Sequence, residues 1–160
     1  MTTVRIAVLG PNDCSPAEYA LGVKVGAGIA VRGGTLLCGG LGGMMDAAAK
    51  GAKSEDGRTV GILPGDADAD ANPHIDIALP TGIGAFRNML IVRAADAAIA
   101  IRGGYGTLSE IAFALRLGVP VVGLNTWSVA QNGAPDGGIH LATTPEEAVD
   151  TAFRLAGIKR

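Results

Sequence analysis

Short apolar runs alternate with longer amphipathic runs along almost the whole chain. The apolar runs are four to six residues long, which is typical of strands that are buried on both faces. The runs between them repeat apolar residues at helical spacing, as Leu21, Val25 and Ile29 do. The pattern predicts strands at residues 4–9, 35–38, 59–63, 75–79, 97–101 and 119–124, and a further short strand at 139–142.

Helix start signals support the same division of the chain. Ser15 is a favourable N-cap, with Pro16 at the first helical position and Glu18 at the third. Thr144 begins the last helix in a similar way. The predicted helices start at residue 16 and end at the glycines 33 and 34, then cover residues 44–53, 84–95, 107–117 and 144 to about 155.

The alternation of strands and helices indicates an α/β fold in one domain that covers residues 1–160. Right-handed crossovers between parallel strands give a Rossmann-like, doubly wound sheet, mostly parallel, with helices on both faces. In this architecture ligands bind beyond the carboxyl ends of the strands, at the point where the strand order reverses. The functional residues are therefore expected in the turns that lead from strands to helices.

Glycines cluster in those turns. The chain has 25 glycines, and four strand-to-helix turns are unusual in composition, at residues 10–15, 39–43, 81–87 and 102–107. Glycine amides can approach a ligand closely, and a helix N-terminus favours an anion, usually a phosphate. Because such turns share one edge of a parallel sheet, we predict a phosphate site there. Its backbone candidates are Gly10, Gly39, Gly40, Gly42, Gly43, Gly103, Gly104, Gly106 and Thr107.

The turn at 102–107 also has a purely structural interpretation. Thr107 and Glu110 have the spacing of a capping box, and the glycines before them are consistent with a tight turn. The recurrence of glycine turns at one edge favours ligand binding over this alternative. No turn carries the Gly-Lys-Ser/Thr of a Walker A motif, and the first turn lacks the GxGxxG of a dinucleotide site.

Few side chains that could bind a ligand or take part in catalysis lie at this edge. Arg87 is in the first turn of a predicted helix, where a cation is unfavourable, so we expect it to pair with an anionic ligand. Asn88 beside it can both donate and accept hydrogen bonds. Arg102 ends a predicted strand, where it can reach a phosphate or pair with Asp96 or Glu110.

Charge and composition disfavour several classes of partner. The formal net charge is −2 and no basic cluster is present, so no nucleic-acid partner is expected. No apolar stretch approaches the roughly 20 residues of a membrane span, and the first apolar run is too short for a signal peptide. We therefore expect a cytoplasmic protein without a membrane partner. Cys14 and Cys38 form no CxxC pair and no histidine cluster accompanies them, so no metal site is predicted.

Several motifs together resemble a known superfamily. Residues Gly103 to Glu110 resemble the PGGxGTxxE motif of the lonely-guy-type, or lysine decarboxylase-like, phosphoribohydrolases. The chain is more similar to a sister group, the molybdenum cofactor carrier proteins and their bacterial relatives. The resemblance runs from about residue 4 to residue 124 and rests on Ile62-Leu-Pro-Gly65, Asn72-Pro73, Ile77-Ala-Leu-Pro-Thr-Gly82, Arg87-Asn88 and Gly103–Glu110.

The two groups imply different functions for the same residues. The hydrolases imply that Arg87 and Glu110 cleave the N-glycosidic bond of a nucleoside 5'-monophosphate, while the residues 103–107 hold its phosphate. The carriers imply binding without chemistry, with the molybdenum cofactor as the bound ligand and no resident cofactor. Arg102 replaces the hydrolases' proline and Asn88 their lysine, so we favour a binding protein for a nucleotide or molybdopterin-type cofactor.

The sequence also bears on two further activities, nucleotide sensing and lysine decarboxylation. A domain that senses a nucleotide for signalling is a third interpretation of this fold. Lysine decarboxylation is not predicted, because no lysine lies in a motif where it could bind a cofactor as a Schiff base. The lysines lie in predicted helices or at their ends, and they are Lys24, Lys50, Lys53 and Lys159.

The apolar content of the chain predicts a homo-oligomer, a homodimer or homotetramer. The mean hydropathy is +0.34 and only 18% of the residues are charged. A helix packed on one sheet needs one apolar stripe, whereas the predicted helices 84–95 and 107–117 are apolar around much of their circumference. We expect these helices to meet their counterparts in a second copy. The superfamily resemblance implies the same, since its members are dimers or larger assemblies.

Overall fold

The computed structural model describes residues 3–158. These residues form a sheet with helices on both of its faces and a separate small hairpin. The strands are β1 (Arg5–Leu9), β2 (Thr35–Cys38), β3 (Arg58–Leu63), β4 (Ile77–Pro80), β5 (Ala97–Ile101), β6 (Val121–Leu124), β7 (Ala130–Gln131), β8 (Ala134–Pro135) and β9 (Ile139–Ala142). The α-helices are α1 (Pro16–Val31), α2 (Met44–Ser54), α3 (Arg87–Ala94), α4 (Tyr105–Arg116) and α5 (Pro145–Ile158), with short 3-10 turns at Asp68–Asp70 and Gly84–Phe86.

The strand order of the main sheet is β4-β3-β2-β1-β5-β6-β9. Every neighbouring pair in it is parallel. The chain first builds the sheet outward from β1 to β4, then returns to the other side of β1 and continues with β5. The order therefore reverses between β1 and β5, which is the switch point where a doubly wound sheet opens a crevice.

The two faces of β1 show how the core is divided. Ile6 and Val8 pack into one apolar cluster with residues of α1, α2 and α5. Ala7 and Leu9, which point the opposite way, pack into a second cluster with residues of α3 and α4. Helices thus cover both faces of the sheet, and the predicted Rossmann-like α/β class is confirmed.

The predicted cap of α1 is present in full. The backbone N–H of Glu18 donates to Ser15 Oγ at 3.2 Å, and the backbone N–H of Ser15 donates to Glu18 Oε2 at 2.9 Å. This reciprocal pair satisfies two amides that the helix itself leaves without acceptors. It also fixes the direction in which the chain leaves β1, and so positions the loop at residues 10–14.

The capping box considered as an alternative for Thr107 and Glu110 is absent. Helix α4 begins at Tyr105, so Thr107 already lies inside its first turn, and the N-cap is Gly104 without a side-chain cap. Gly104 has an extended conformation, with φ −95° and ψ −153°, from which the helix can start directly. Thr107 and Glu110 therefore do not cap α4, and both side chains are buried.

Two strands start later than predicted, for local reasons. Residues 75 and 76 were assigned to β4, but Asp76 Oδ2 accepts the backbone N–H of Thr59 at 2.9 Å. The backbone N–H of Asp76 in turn donates to Thr59 Oγ1 at 2.9 Å and to the Thr59 carbonyl at 3.2 Å, so side chains share in the pairing before the regular ladder starts at Ile77. Residues 119 and 120 were assigned to β6, but Pro120 has no N–H to donate to a ladder.

The segment between the strands predicted at 119–124 and 139–142 contains the β7–β8 hairpin. Its turn is formed by Asn132 and Gly133, which both have positive φ, 51° and 78°. An Asn-Gly pair is the strongest short sequence signal for such a two-residue hairpin turn. The signal was present in the sequence, and the antiparallel pairing of β7 with β8 follows from it.

Candidate ligand site at the switch point

A cleft of about 500 Å³ opens at the carboxyl ends of the strands. It lies where the turns after β1 and β5 meet the turn before α3. Three of the four glycine-rich turns predicted to converge therefore border it. Its lining residues are Gly10, Pro11, Asn12, Asp13, Met45, Pro64, Ala85, Arg87, Asn88, Gly104, Gly106, Thr107 and Glu110.

The glycines of the turn after β5 are of two kinds. Gly103 has a φ of +106°, and a Cβ on it would overlap the Thr107 side chain, so the fold requires glycine there. A Cβ on Gly104 or Gly106 would meet nothing within 4 Å, and neither residue has a positive φ. Neither packing nor backbone conformation therefore requires glycine at positions 104 and 106. Glycine at these positions leaves free space in the cleft, and that space is the reason we assign to them.

The first turn of α4 forms this wall of the cleft. The first amides of an α-helix have no acceptors within the helix, and the helix dipole makes this end positive. Because Gly104 and Gly106 carry no side chains, an anion can approach these amides directly. The carbonyl of Gly104 accepts the backbone N–H of Leu108 at 3.0 Å, which fixes the turn relative to the helix.

Arg87 is the first residue of α3 and is only 7% exposed. Its guanidinium lies against Gly39, where a Cβ would overlap Nη1. Within residues 3–158, Arg87 Nε is the one buried side-chain nitrogen or oxygen without a hydrogen-bond partner. An unpaired buried donor is costly, so this geometry favours an anionic acceptor in the cleft.

Glu110 also lines the cleft and is only 7% exposed. Burial raises the pKa of its carboxyl to about 8, although the positive charge of Arg87 acts in the opposite direction. Burial lowers the pKa of Arg87, and the charge of Glu110 opposes that change. The raised pKa of Glu110 favours a neutral carboxyl group beside the charged guanidinium of Arg87, so this pair contributes positive charge to the cleft.

Asn88 lies in the cleft wall, but its amide has a structural partner. Asn88 Nδ2 donates to Ser109 Oγ at 3.0 Å, and Ser109 Oγ donates to the Gly106 carbonyl at 2.7 Å. This chain of bonds joins the start of α3 to the start of α4. Asn88 therefore holds the two sides of the cleft together, and its amide oxygen remains available to a ligand.

The predicted cradle at residues 39–43 does not line the cleft. Gly39 provides the slot for Arg87, and Gly40 packs against β3 with a φ of +76°. Gly43 lies against the backbone of Asn12, and Gly42 faces solvent outside the cleft. The first amide of α2, on Met44, donates to the Pro11 carbonyl at 2.9 Å. The first amide of α2 is thus occupied by the neighbouring loop, and none of the four glycines at 39–43 lines the cleft.

Arg102 has a different partner from the two predicted. Its Nε lies 2.9 Å from Glu18 Oε1, whereas Asp96 pairs with Arg5 at 3.2 Å. Since Glu18 also belongs to the α1 cap, this ion pair links the loop after β1 to the turn after β5. Arg102 therefore positions two walls of the cleft but does not line it.

Several residues line the cleft in addition to the predicted ones. Pro11, Asn12 and Asp13 belong to a turn that was singled out as a whole, and their position directly after β1 was the available signal. Ala85 likewise belongs to the turn at 81–87, and Pro64 directly follows β3, whereas no local pattern marks Met45.

The remaining charged and reactive groups lie elsewhere. Among the described residues no lysine lines the cleft, and Lys53 pairs with Asp76 at 2.8 Å, while Lys159 lies outside those residues. No group of three or more His, Cys, Asp or Glu side chains suited to a metal occurs in residues 3–158. Cys14 and Cys38 are free thiols, and burial raises the pKa of Cys38 to about 12.

Within the described part of the chain, no helix is long and apolar enough to span a membrane.

Fold and cleft together define a class of doubly wound α/β proteins with a small-ligand site at the switch point of the sheet. The family model of the SLOG cluster4 family matches residues 3–149. The chain therefore belongs to the SLOG cluster4 family. This places it in the superfamily that its motifs resemble, which confirms that expectation.

Three relatives illustrate the similarity. An uncharacterized protein of Archaeoglobus fulgidus is 43% identical over 150 residues, which are 94% of this chain and 95% of the relative. The molybdenum cofactor binding protein of Rippkaea orientalis has a TM-score of 0.86 at 32% identity, covering 97% of this chain and 98% of its own. The Moco carrier protein of Chlamydomonas reinhardtii also has a TM-score of 0.86 at 32% identity, with 98% and 99% of the two chains covered.

Proposed function

We propose that the protein binds a small phosphorylated molecule, a nucleotide or a molybdopterin-type cofactor, with the phosphate in the switch-point cleft. The observation that carries this proposal is the buried Arg87, whose Nε has no hydrogen-bond partner and which lines the same cleft as the first turn of α4. A phosphate offers acceptors to both sides at once. The bare glycines Gly104 and Gly106 leave room for its oxygens.

The similar proteins favour one ligand of this class. Solved structures of a molybdenum cofactor binding protein and a Moco carrier protein match almost the whole chain. We infer that the molybdenum cofactor is the ligand that this chain carries as cargo. The phosphate contacts assigned here to Arg87 and to the first turn of α4 serve its phosphate as they would that of a nucleotide.

The test uses two glycine variants that act in different ways. Gly106→Ala adds a methyl group to the cleft but improves the first turn of α4, so we expect the free energy of unfolding to rise by about 0.5 to 1 kcal/mol. Gly104→Val places a branched side chain where phosphate oxygens must approach. Both variants should weaken binding of inorganic phosphate and ribose 5-phosphate at least tenfold in calorimetric titrations.

Gly157→Ala is the matched control for this test. It makes the same substitution in α5, where a Cβ also meets nothing within 4 Å, outside the cleft. Its phosphate affinity should equal that of the unmodified protein. If Gly106→Ala and Gly104→Val bind both phosphates as well as the control does, or if the folded protein binds neither, the site proposal is wrong.

A second candidate function is supported by the Arg87–Glu110 pair. Burial keeps the Glu110 carboxyl protonated near pH 7, and such a group can act as a general acid. In a nucleoside 5'-monophosphate, the bond from C1' to the base nitrogen would break as Glu110 gives that nitrogen its proton. The resulting carboxylate would stabilise the oxocarbenium ion until water adds to C1' and returns a proton.

We expect this hydrolysis to be absent or slow. The chain has Arg102 and Asn88 where the hydrolases have proline and lysine, and the structure uses both residues to join the walls of the cleft. Release of free base from AMP, GMP and CMP can be followed by chromatography. Robust turnover that disappears in Glu110→Gln would establish the hydrolase in place of the binding protein.

We also propose that the protein is a homodimer or a larger homo-oligomer. Fewer residues of the predicted helices are available for a contact between copies than the sequence suggested, because Ile91, Val92 and Ile111 pack into the chain's own core. Among the described residues, six of the nine exposed large apolar side chains lie on β4, the turn before α3, and α3, and they are Ile77, Leu79, Ile83, Phe86, Met89 and Leu90. Light scattering coupled to size exclusion should give a mass that is a multiple of 16.0 kDa. A monomer at micromolar concentration would contradict it.

A further inference from the structure

A second cleft, of about 470 Å³, opens beside the first at the ends of β5 and β6. It lies on the other side of the turn after β5, and none of the roles assigned above uses it. Its lining residues are Arg102, Gly103, Asn125, Thr126, Trp127 and Ser128. We call it the β6 cleft, and the cleft that contains Arg87 the switch-point cleft.

The ridge between the two clefts is bare backbone. Gly103 lines the β6 cleft, while the next residue, Gly104, lines the switch-point cleft. Neither residue has a side chain, and a Cβ on Gly104 would meet nothing within 4 Å. A ligand longer than a phosphate can therefore cross this ridge and occupy both clefts.

The β6 cleft has an aromatic wall. The Trp127 ring stacks on the Tyr105 ring, with centroids 5.8 Å apart and an interplanar angle of 29°. Trp127 Nε1 donates to the Gly104 carbonyl at 3.2 Å, which fixes the indole against the phosphate turn. Tyr105 is 83% exposed, although it belongs to the first turn of α4. An aromatic pair held beside a phosphate turn is suited to stacking on a planar ring.

The polar groups of the β6 cleft complement such a ring. Asn125 presents an amide, which can donate and accept along the edge of a heterocycle, and Ser128 presents a hydroxyl. Among the described residues neither side chain has a hydrogen-bond partner. The charge of Arg102 is compensated by Glu18, so the cleft favours an uncharged ring over a second phosphate.

The backbone at this cleft is held in an unusual conformation. Arg102 and Asn125 end neighbouring strands with φ of 50° and 53°, and they are two of the four non-glycine residues with positive φ in the described chain. Thr126 Oγ1 donates to the Arg102 carbonyl at 2.5 Å and so joins the two strand ends. The left-handed conformation is unfavourable for arginine, and strain of this kind concentrates at binding sites.

We propose that the β6 cleft is the subsite for a planar heteroaromatic ring, a purine or a pterin, of the ligand whose phosphate binds in the switch-point cleft. The ring stacks on the aromatic wall, Asn125 bonds its edge, and the bare glycine ridge lets the linking atoms pass. This inference rests on the proposed function, since it assigns the second half of the same ligand.

The test compares ligands with and without a ring. Ribose 5-phosphate has the phosphate alone, whereas AMP, GMP and a pterin phosphate have a ring as well. The ring-bearing ligands that fit should bind at least fivefold more tightly than ribose 5-phosphate in calorimetric titrations. Trp127 is the only tryptophan of the chain, so its fluorescence reports the β6 cleft directly, and it should change with these ligands and not with ribose 5-phosphate.

Two variants separate the ring contacts from the phosphate contacts. Trp127→Leu removes the aromatic face but keeps an apolar side chain, and Asn125→Gly removes the amide while suiting the left-handed backbone. Both should lose the advantage of the ring-bearing ligands and bind ribose 5-phosphate as the unmodified protein does. Trp127→Phe retains a stacking face and should keep at least part of the advantage.

The outcomes distinguish this inference from the proposed function. If ribose 5-phosphate does not bind, the proposed function fails and this inference fails with it. If ribose 5-phosphate binds but no ring-bearing ligand binds more tightly, only this inference is overturned. It is also overturned if Trp127→Leu weakens all the ligands equally, because the indole would then act only by positioning the Gly104 carbonyl.

Discussion

Arg87→Met is expected to abolish phosphate binding while leaving the folded protein at least as stable as before. Arg87 is 7% exposed and its Nε has no hydrogen-bond partner, so the unliganded protein bears a desolvation cost that no hydrogen bond to Nε offsets. Methionine has a similar length and no charge, and it is flexible enough to occupy the slot against Gly39. Affinity for ribose 5-phosphate should fall at least 100-fold, as expected for the loss of two charge-assisted hydrogen bonds.

The matched control is Arg93→Met. Arg93 lies on the same helix, α3, but it is exposed and does not line the cleft. The two variants have the same change in net charge, so a difference between them in phosphate affinity or in stability is due to the position of the arginine. Urea denaturation should give a midpoint for Arg87→Met no lower than that of Arg93→Met. Unchanged phosphate affinity in Arg87→Met, or a destabilisation of more than about 2 kcal/mol, would show that Arg87 serves the fold instead of a ligand.

The sequence predicts the location of the site because a parallel sheet leaves few alternatives. Once strands and helices alternate, every strand-to-helix turn lies at one edge, so the turns around Gly10, Arg87 and Gly104 had to be neighbours. The glycines and the unfavourably placed cation mark those turns as unusual. Fold class and the position of the cleft thus follow from the spacing of elements along the chain.

The parts that the sequence does not predict depend on contacts between distant residues. Whether the turn at 39–43 is open depends on the loop after β1, whose Pro11 carbonyl takes the first amide of α2. The burial of Arg87 depends on Gly39, 48 positions earlier, which leaves room for the guanidinium. The sequence offers Asp96 and Glu110 as partners for Arg102, but in the fold Arg102 pairs with Glu18 of α1. Such competition is decided by packing in three dimensions.

The pH dependence of stability should report the state of Glu110. Its pKa is raised to about 8 in the folded protein by burial, against about 4.3 in an unfolded chain. Between these values the folded state binds one more proton than the unfolded state, so the free energy of unfolding falls as pH rises. The slope from one such group is about 1.4 kcal/mol per pH unit. Stability should therefore drop by roughly 2 to 3 kcal/mol from pH 5.5 to pH 7.5.

Glu110→Gln isolates this contribution, because the amide has nearly the size of the neutral carboxyl group, can also donate and accept hydrogen bonds, and does not titrate. Urea denaturation at both pH values should give a much smaller difference for the variant, while all other titrating groups remain the same. The affinity of the unmodified protein for ribose 5-phosphate should also fall above pH 8, since an ionised Glu110 then repels the phosphate beside Arg87. In Glu110→Gln that loss of affinity should disappear. Equal pH dependence in the two proteins would mean that Glu110 is ionised in the folded state, and that the cleft interior is not positive at neutral pH.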